Sequence, residues 1–502
     1  MSTLTSLARA LAVERGRAQP LCTVRHLHVS DRPLVVVPLA MAGEANAPLA
    51  AMAGDDPRSP ALLVVSQPRN RDDRFAFAAE LADVIVPYIE GFLGAEEAVP
   101  GGPGREPRTR LADAPQLLVP SPAGIAFVRL LGRSTRFRRA EGPYPVPERV
   151  PALGRWLTFL AERAEYPGSS LLLAATDALA GHWASGQSPA EDLNLAALAG
   201  WIEPPDGLSG WEAAAAAEDP LTWPPAGPAT DPTFDNEVLA PLIAAHDQAR
   251  AAGDIAAMGR VRTRLEQALA SQLLPTWRLM WRAVELLRGL PPGGHVGMRW
   301  CADKDVFTGY VDYLREGGPP QPRRDTAVAA ARRLATLERL LAACSAQRAF
   351  DDPLVMAEFR LSGEAMAGPV TAAEPGRQDT SGPRRKLRPH ITMETSDPVL
   401  LDLGAVLSSP ARPRQEARVL SVSAAGAGRT RVVLELAGGM GRGLAAAPGS
   451  VPEVGEVVCY ATFSDGYQRP PAFPELADTP WTHGGPPPAY VPSDEDAREV
   501  WS

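Results

Sequence analysis

A mixed α/β region, a helical middle region and a small C-terminal β-barrel make up the multidomain fold class this sequence predicts. Three patterns carry the prediction. Short β-branched runs alternate with helix-period segments up to about residue 225, apolar residues then recur every three or four positions, and period-two alternation takes over beyond residue 384. The expected divisions are a mixed α/β domain over 1–225, a helical hairpin or bundle over 230–370, an OB- or SH3-like barrel over 384–467 and a proline-rich extended tail over 468–502.

In chain order, Leu4, Leu7, Ala8 and Leu11 give the N-terminus the spacing of a short amphipathic helix, and Arg9, Glu14 and Arg15 interrupt what a secretory segment would need. Strands are expected at Leu21–Val29, Leu34–Leu39, Ala61–Ser66, Gln116–Val119 and Ile125–Leu131. Helices are expected at Asp73–Phe92, where Phe77, Leu81, Val84 and Ile85 form a stripe, and at Val150–Ala164, where Leu153, Trp156, Leu157 and Leu160 do. Ser188-Pro189-Ala190-Glu191 carries a capping serine, a proline that needs no N–H partner and a glutamate that reaches back, so it predicts a helix start. Glu96–Pro107 reads as a loop, and Pro204–Pro232 as an extended connector with a boundary near 225.

Beyond it, Val238, Leu239, Leu242 and Ile243, then Ile255, Met258, Val261, Leu265 and Leu269, then Trp277, Met280, Trp281 and Val284 predict helices. In Asp325–Phe350 the near-heptad run Val328, Ala331, Leu334, Leu337, Leu341 and Cys344 predicts a buried leucine stripe. Ala372–Pro383 reads as a linker. His390–Thr395, Glu416–Ser423, Thr430–Leu436 and Glu456–Phe463 alternate as barrel strands, with a hairpin connection at Ala424–Gly428.

Composition excludes several function classes. Of the 50 basic residues only Lys304 and Lys386 are lysines, and neither follows the glycine that a phosphate-binding loop needs, since Asp303 and Arg385 precede them. Ala302 and Arg384 stand where an acid-x-Lys nuclease element would place its carboxylate. No H-E-x-x-H, H-x-E or G-x-S-x-G element occurs, and Ser169, Ser185 and Ser408 show no acid or base partner. Cys22, Cys301, Cys344 and Cys459 lack the short spacing of a zinc knuckle. Cys22, His26 and His28 would share one face of a strand, but no fourth ligand is visible, so no metal or cofactor is expected. Asp303-Lys304-Asp305 reads as a solvated helix start. The most apolar stretch, Pro33–Gly54, is broken by Pro38, Glu44, Asn46 and Pro48, which predicts no membrane span and a cytoplasmic protein.

Two basic features point toward nucleic acid. Arg129, Arg133, Arg136, Arg138 and Arg139 interleave with Phe127 and Phe137, pairing phosphate-binding guanidinium groups with rings that stack on bases. Between Pro383 and Gly443, ten basic residues (Arg384, Arg385, Lys386, Arg388, Arg412, Arg414, Arg418, Arg429, Arg431 and Arg442) stand against five acidic ones, inside a chain of formal net charge −9. The loop Gly438–Gly443 could offer backbone N–H groups and Arg442 to a phosphate. The expected function is that of a non-catalytic adaptor whose basic barrel binds nucleic acid beside a partner enzyme, such as a helicase or nuclease. The alternatives are a protein-assembly subunit that binds no nucleic acid and an enzyme whose site lies in the N-terminal α/β domain.

Overall fold

The computed structural model describes residues 2–41, 47–102, 106–220, 223–224, 230–322, 327–466 and 471–475. The chain begins with helix α1 (Thr3–Arg15), capped by Ser2, and a two-residue strand β1 (Gln19–Pro20). The stretch Leu21–Val29 is not the strand its composition predicts. Several of its N–H groups go to side chains instead of a neighbouring strand, Thr23 and Val24 donating to Asp352, His26 to His182 and His28 to Ser170, while Leu21 and Arg25 donate to the His182 and Pro291 carbonyls.

A five-stranded sheet follows, with strands β2 (Leu34–Ala40), β3 (Pro48–Gly54), β4 (Ala61–Val64), β7 (Leu117–Val119) and β8 (Leu172–Ala174) in the order β4-β3-β2-β7-β8. The β2–β3–β4 meander is antiparallel, and β7 and β8 are parallel to β2. Every residue of β2 is buried, as expected where helices cover both faces. Strand β3 went unread in the sequence because its alanines and Pro48 carry little strand propensity. Pro38 is tolerated within β2 because β7 pairs only with Leu34 and Val35 and has ended before reaching it.

Between β4 and β7 lie helix α2 (Arg71–Glu90), capped by Asn70, and the hairpin β5 (Glu96–Val99)–β6 (Arg108–Leu111), in place of a plain loop. Ile125–Leu131, expected as a strand, is part of helix α3 (Pro122–Thr135), with Pro122 in its first turn. A short apolar run has no periodicity that separates strand from buried helix. Helix α3 crosses α4 (Arg149–Arg163) at two glycines. A Cβ on Gly154 would overlap the Arg136 nitrogen, and one on Gly132 would lie 2.8 Å from the Thr158 nitrogen. In an open helix Gly→Ala is stabilising, but here it forces backbones apart. Gly154→Ala is therefore expected to cost about 1–3 kcal/mol in chemical denaturation, whereas Gly259→Ala, in open space on a helix, should gain up to about 1 kcal/mol.

After β8 come α5 (Ala175–Ala180), the short strand β9 (Trp183–Ala184) paired with β1, α6 (Leu195–Ile202) and α7 (Gly210–Glu218). The Ser188–Glu191 reciprocal capping bonds form, yet they start only a single 3-10 turn, and the α-helix begins afresh at the Asn194 cap. A short turn α8 (Pro232–Phe234) leads to α9 (Ala240–Ala251), then to α10 (Ile255–Arg288) and α11 (Val296–Arg315).

These helices do not form a core of their own. Leu265, Leu269, Leu273, Trp277 and Met280 of α10 pack with Val35, Val37, Leu49 and Met52 on one face of the sheet. Trp300, Phe307 and Val311 of α11 pack with α2 and α4 residues on the other face. The change in composition near residue 225 therefore marks the start of the sheet's helical cover, and both sheet cores draw on residues from either side of it.

Helix α12 (Ala327–Asp351) corrects the expected leucine stripe: Leu334 and Leu341 are each 58% exposed and Leu337 is half-buried. Only its ends, at Val328, Ala346 and Ala349, are enclosed apolar positions. After α13 (Pro353–Ser362), the C-terminal module is a closed six-stranded barrel of β10 (Ala365–Glu374), β13 (His390–Thr395), β16 (Arg429–Ala437), β15 (Glu416–Gly426), β14 (Val406–Ser408) and β17 (Val457–Ala461), named in spatial order. Ile391, Met393, Val432, Leu434, Leu436, Val419 and Tyr460 alternate inward as its core. The turn at Gly426-Ala427-Gly428 has all three residues at positive φ.

The expected linker Ala372–Pro383 is partly strand, since β10 runs to Glu374 and a small hairpin, β11 (Gln378–Asp379) with β12 (Lys386–Leu387), follows. The barrel thus starts near residue 365 and not at 384. Strand β10 pairs with both β13 and β17, so a fragment beginning at Pro383 would leave two open edges. A fragment spanning residues 364–463 is expected to unfold cooperatively and one spanning 383–463 to aggregate or remain unfolded. Circular dichroism during thermal melting checks both. The tail expected over 468–502 lies outside the described residues except at 471–475, which have no regular structure.

Candidate functional site

Strand register gathers much of the basic sequence at one end of the barrel. His390 pairs with Glu435 and Glu416 with Ala437, so the start of β13, the end of β16 and the start of β15 lie together. The β11–β12 hairpin projects from this end with Arg384, Arg385 and Lys386, all exposed, and Arg388 half-buried at its base. The same end holds Arg414, because the Gly438 and Gly439 backbone packs on the Arg414 carbonyl at left-handed φ values of 76° and 64°. A Cβ at Gly438 would sit 2.8 Å from that oxygen, so glycine is required where the chain turns toward exposed Arg442.

Pairing separates the free cations from the structural ones. Arg412 is held by Glu456 at 2.8 Å, Arg431 by Glu394 at 2.8 Å and Arg377 by Glu435 at 3.1 Å. The Arg412 guanidinium beside it holds the Glu456 carboxyl below the usual carboxylate range. Among the described residues Arg384, Arg385, Lys386, Arg388, Arg414 and Arg442 make no ion pair, and neither do the carboxylates Glu374, Asp379 and Glu416 of the same end. Arg418, expected with this group, stands two residues in from Glu416 on the outer wall, exposed opposite Glu435 and in no ion pair among the described residues, whereas Arg429 lies at the other end, on the β15–β16 turn.

The arginines after Phe127 are arranged differently from the groove their sequence suggests. They end a helix, not a strand, and Phe127 and Phe137 are buried. Arg136 is 4% exposed and donates to the carbonyls of Gln321 and Arg133, while buried Arg138 donates to Ser134 and lies over the Phe75 ring. Arg129 pairs with Glu165 at 3.0 Å. Only Arg133 and Arg139 of the remaining set are exposed. Guanidinium groups spent on internal carbonyls hold α3 to the segment after α11.

Asp303-Lys304-Asp305 is in the middle of α11 and not at a solvated start. Asp303 is 2% exposed and accepts from the Ser169 hydroxyl and the Ser170 N–H, both at 2.7 Å; Lys304 is also buried and donates to Glu97 at 2.6 Å.

The second convergence of chemical groups lies where the N-terminal segment meets the α12–α13 junction. The Cys22 thiol, a His26 ring nitrogen and an Asp352 carboxylate oxygen lie within 4.8 Å of one another, all buried. His28, expected on the same face, turns away and stacks on Trp300 with ring centroids 4.0 Å apart. Asp352 caps α13 by accepting from Leu354 N–H and staples the 22–24 segment through Thr23 and Val24. Burial pushes the Cys22 thiol up to about 12, with Asp352 adding to it; burial, then Arg348 and His182, bring His26 down to about 4. Sequence reasoning found Cys22 and His26 but not Asp352, which is 326 positions beyond His26. Beside this cluster is a cavity of about 650 Å³ whose lining includes Leu21, Gly181, Arg348 and Leu354. Among the described residues no helix is long and apolar enough to cross a membrane. No protein-family model, no curated protein and no solved structure matches the chain.

Proposed function

We propose that this chain is a non-catalytic accessory subunit that binds nucleic acid through the basic end of its barrel and works beside an enzyme, such as a helicase or nuclease, on another chain. The observation that supports it is the cluster of Arg384, Arg385, Lys386, Arg388, Arg414 and Arg442 at one barrel end, without ion pairs among the described residues. Unpaired guanidinium groups on turns and a hairpin keep their fork of donors available for phosphate oxygens, and releasing condensed counterions drives association. Arg412 and Arg431, already neutralised by Glu456 and Glu394, serve the barrel's frame in this reading.

The test is fluorescence anisotropy on single- and double-stranded oligonucleotides at two salt concentrations. Replacing Arg384, Arg385, Arg414 and Arg442 together by alanine is expected to weaken binding to every sequence. It should also make the log–log salt slope shallower by about 0.7–0.9 for each phosphate no longer neutralised. Arg133→Ala, on α3, should change neither. Absence of binding by the unaltered protein at low salt would favour a protein-assembly subunit instead, a reading supported by the exposed Leu334 and Leu341 of α12.

A further inference from the structure

We propose that Cys22, His26 and Asp352 form a binding site for a divalent transition metal of borderline softness, zinc being the best match, with its fourth position filled by a non-protein ligand. The donor set is one thiol, one imidazole and one carboxylate, the three side-chain types that tetrahedral zinc takes. Tetrahedral bonds of the usual lengths put donor atoms about 3.3–3.6 Å apart. The His26 Nε2 to Asp352 Oδ2 separation is already 3.8 Å, and all three donors fall within 4.8 Å, so closing on an ion needs shifts of an ångström or less.

Hydrogen bonding independently points to a missing ligand. The Asp352 carboxylate is explained by its backbone donors, but His26 is not: its side chain is 4% exposed and neither ring nitrogen has a partner among the described residues. An imidazole enclosed this way has lost water at both nitrogens and gained nothing, whereas a metal would take the lone pair of one. His182 supplies the supporting contact. Its Nδ1 lies 2.6 Å from the Ala178 carbonyl, which only accepts, so Nδ1 carries the proton. Nε2 therefore accepts the His26 backbone N–H at 3.0 Å. That bond fixes the His26 backbone without spending its side chain.

Charge also closes. The groups that act on the cluster are Arg348, Arg299 and His182 as well as Asp352. Without metal, the Cys22 thiol donates its proton to the His182 carbonyl at 4.0 Å. On binding, the Cys22 thiol loses that proton to solvent, and the new thiolate with the carboxylate matches the charge of the dication. Sequence separation hides the site, because the third ligand comes from the α12–α13 junction.

The full-length protein, stripped with a chelator and dialysed against zinc, is expected to retain about one ion per chain. With cobalt(II) in place of zinc it should show a thiolate-to-metal charge-transfer band. X-ray absorption on the zinc form should give one sulfur at about 2.3 Å with nitrogen and oxygen at about 2.0–2.2 Å. Cys22→Ser should abolish the cobalt band while Cys344→Ser and Cys459→Ser keep it, with circular dichroism confirming that each variant is folded. If Cys22→Ser does not fold, the X-ray absorption spectrum of the unaltered protein decides. Retention of no zinc, a first shell without sulfur, or a band that survives Cys22→Ser would each overturn the assignment.

Discussion

Replacing Asp303 by alanine is expected to cost about 2–5 kcal/mol of folding free energy, because it leaves the Ser169 hydroxyl and the buried Ser170 N–H without their acceptor. Its two carboxylate oxygens hold the Ser169 hydroxyl and the Ser170 N–H at 2.7 Å each, tying the turn before β8 to the middle of α11. The Arg163 and Arg299 guanidinium groups act on the same carboxylate, and Arg299 in turn donates to the His26 carbonyl at 2.9 Å. Burial nevertheless holds the Asp303 carboxyl above its usual range, against those hydrogen bonds and arginines. An acid with a raised folded pKa makes stability fall as pH rises through the window between the unfolded and folded values. Ionisation at neutral pH is thus already a cost, and the loss in the alanine variant comes from orphaned partners. Asp303→Asn, which can accept from Ser170 and donate to Ser169, should therefore lose less than alanine. Asp305→Ala removes partly exposed pairs with Arg108 and Arg110 and should cost about 1 kcal/mol or less. Urea denaturation of the three variants checks the order; equal midpoints for Asp303→Ala and Asp305→Ala would show that the buried hydrogen bonds of Asp303 are not structural.

That contrast explains what the sequence conceals. Asp303 and Asp305 belong to one short charged run, and only the turn at Ser169 and Ser170, more than 130 positions earlier, makes one of them interior. Patterns that depend on neighbours a few residues away were readable: the stripes of α2 and α4, and the alternation of β13, β15 and β16, all appear close to their expected bounds. Strand β10 was not, because Ala365–Glu374 is built of small residues whose burial is decided by β13 and β17 on either side. The leucines of α12 failed in the opposite direction, since a heptad spacing states only which residues share a face and not whether anything covers it. Candidate sites divide along the same line. The basic barrel end is drawn mostly from 384–442 and is visible as local charge, whereas Asp352 joins Cys22 and His26 only through the fold.

Trp277→Ala is expected to be comparably damaging, at about 3–5 kcal/mol, for a reason that is apolar instead of electrostatic. The indole is 2% exposed and fills the space between α10 and the sheet, packed with the core that includes Val35, Val37 and Met52. The ring lies against the end of β3, where a Cβ on Gly54 would come 3.5 Å from it. The ring N–H donates to the Pro57 carbonyl at 3.0 Å, and Trp281 meets the ring edge-on with centroids 5.8 Å apart. Truncation leaves a cavity that a strand and a 34-residue helix cannot both collapse into, and it removes the bond to the Pro57 carbonyl. Trp277→Phe keeps most of the apolar volume and loses the hydrogen bond, so about 1–3 kcal/mol is expected. Trp211, 58% exposed on α7, should tolerate alanine within about 0.5 kcal/mol. The consequence should extend beyond the sheet. Helix α10 ends at Arg288, which donates to the Ser30 and Asp31 carbonyls, and the chain then turns to His295, whose ring sits between Asp351 at 2.6 Å and Asp465 at 2.9 Å. Loosening α10 therefore loosens the support of the α12–α13 junction and of the chain leaving the barrel. Hydrogen exchange in Trp277→Ala should rise at residues 22–30 and 351–356 as well as in α10. Exchange confined to α10 would mean that the helix covers the sheet without bracing the junction.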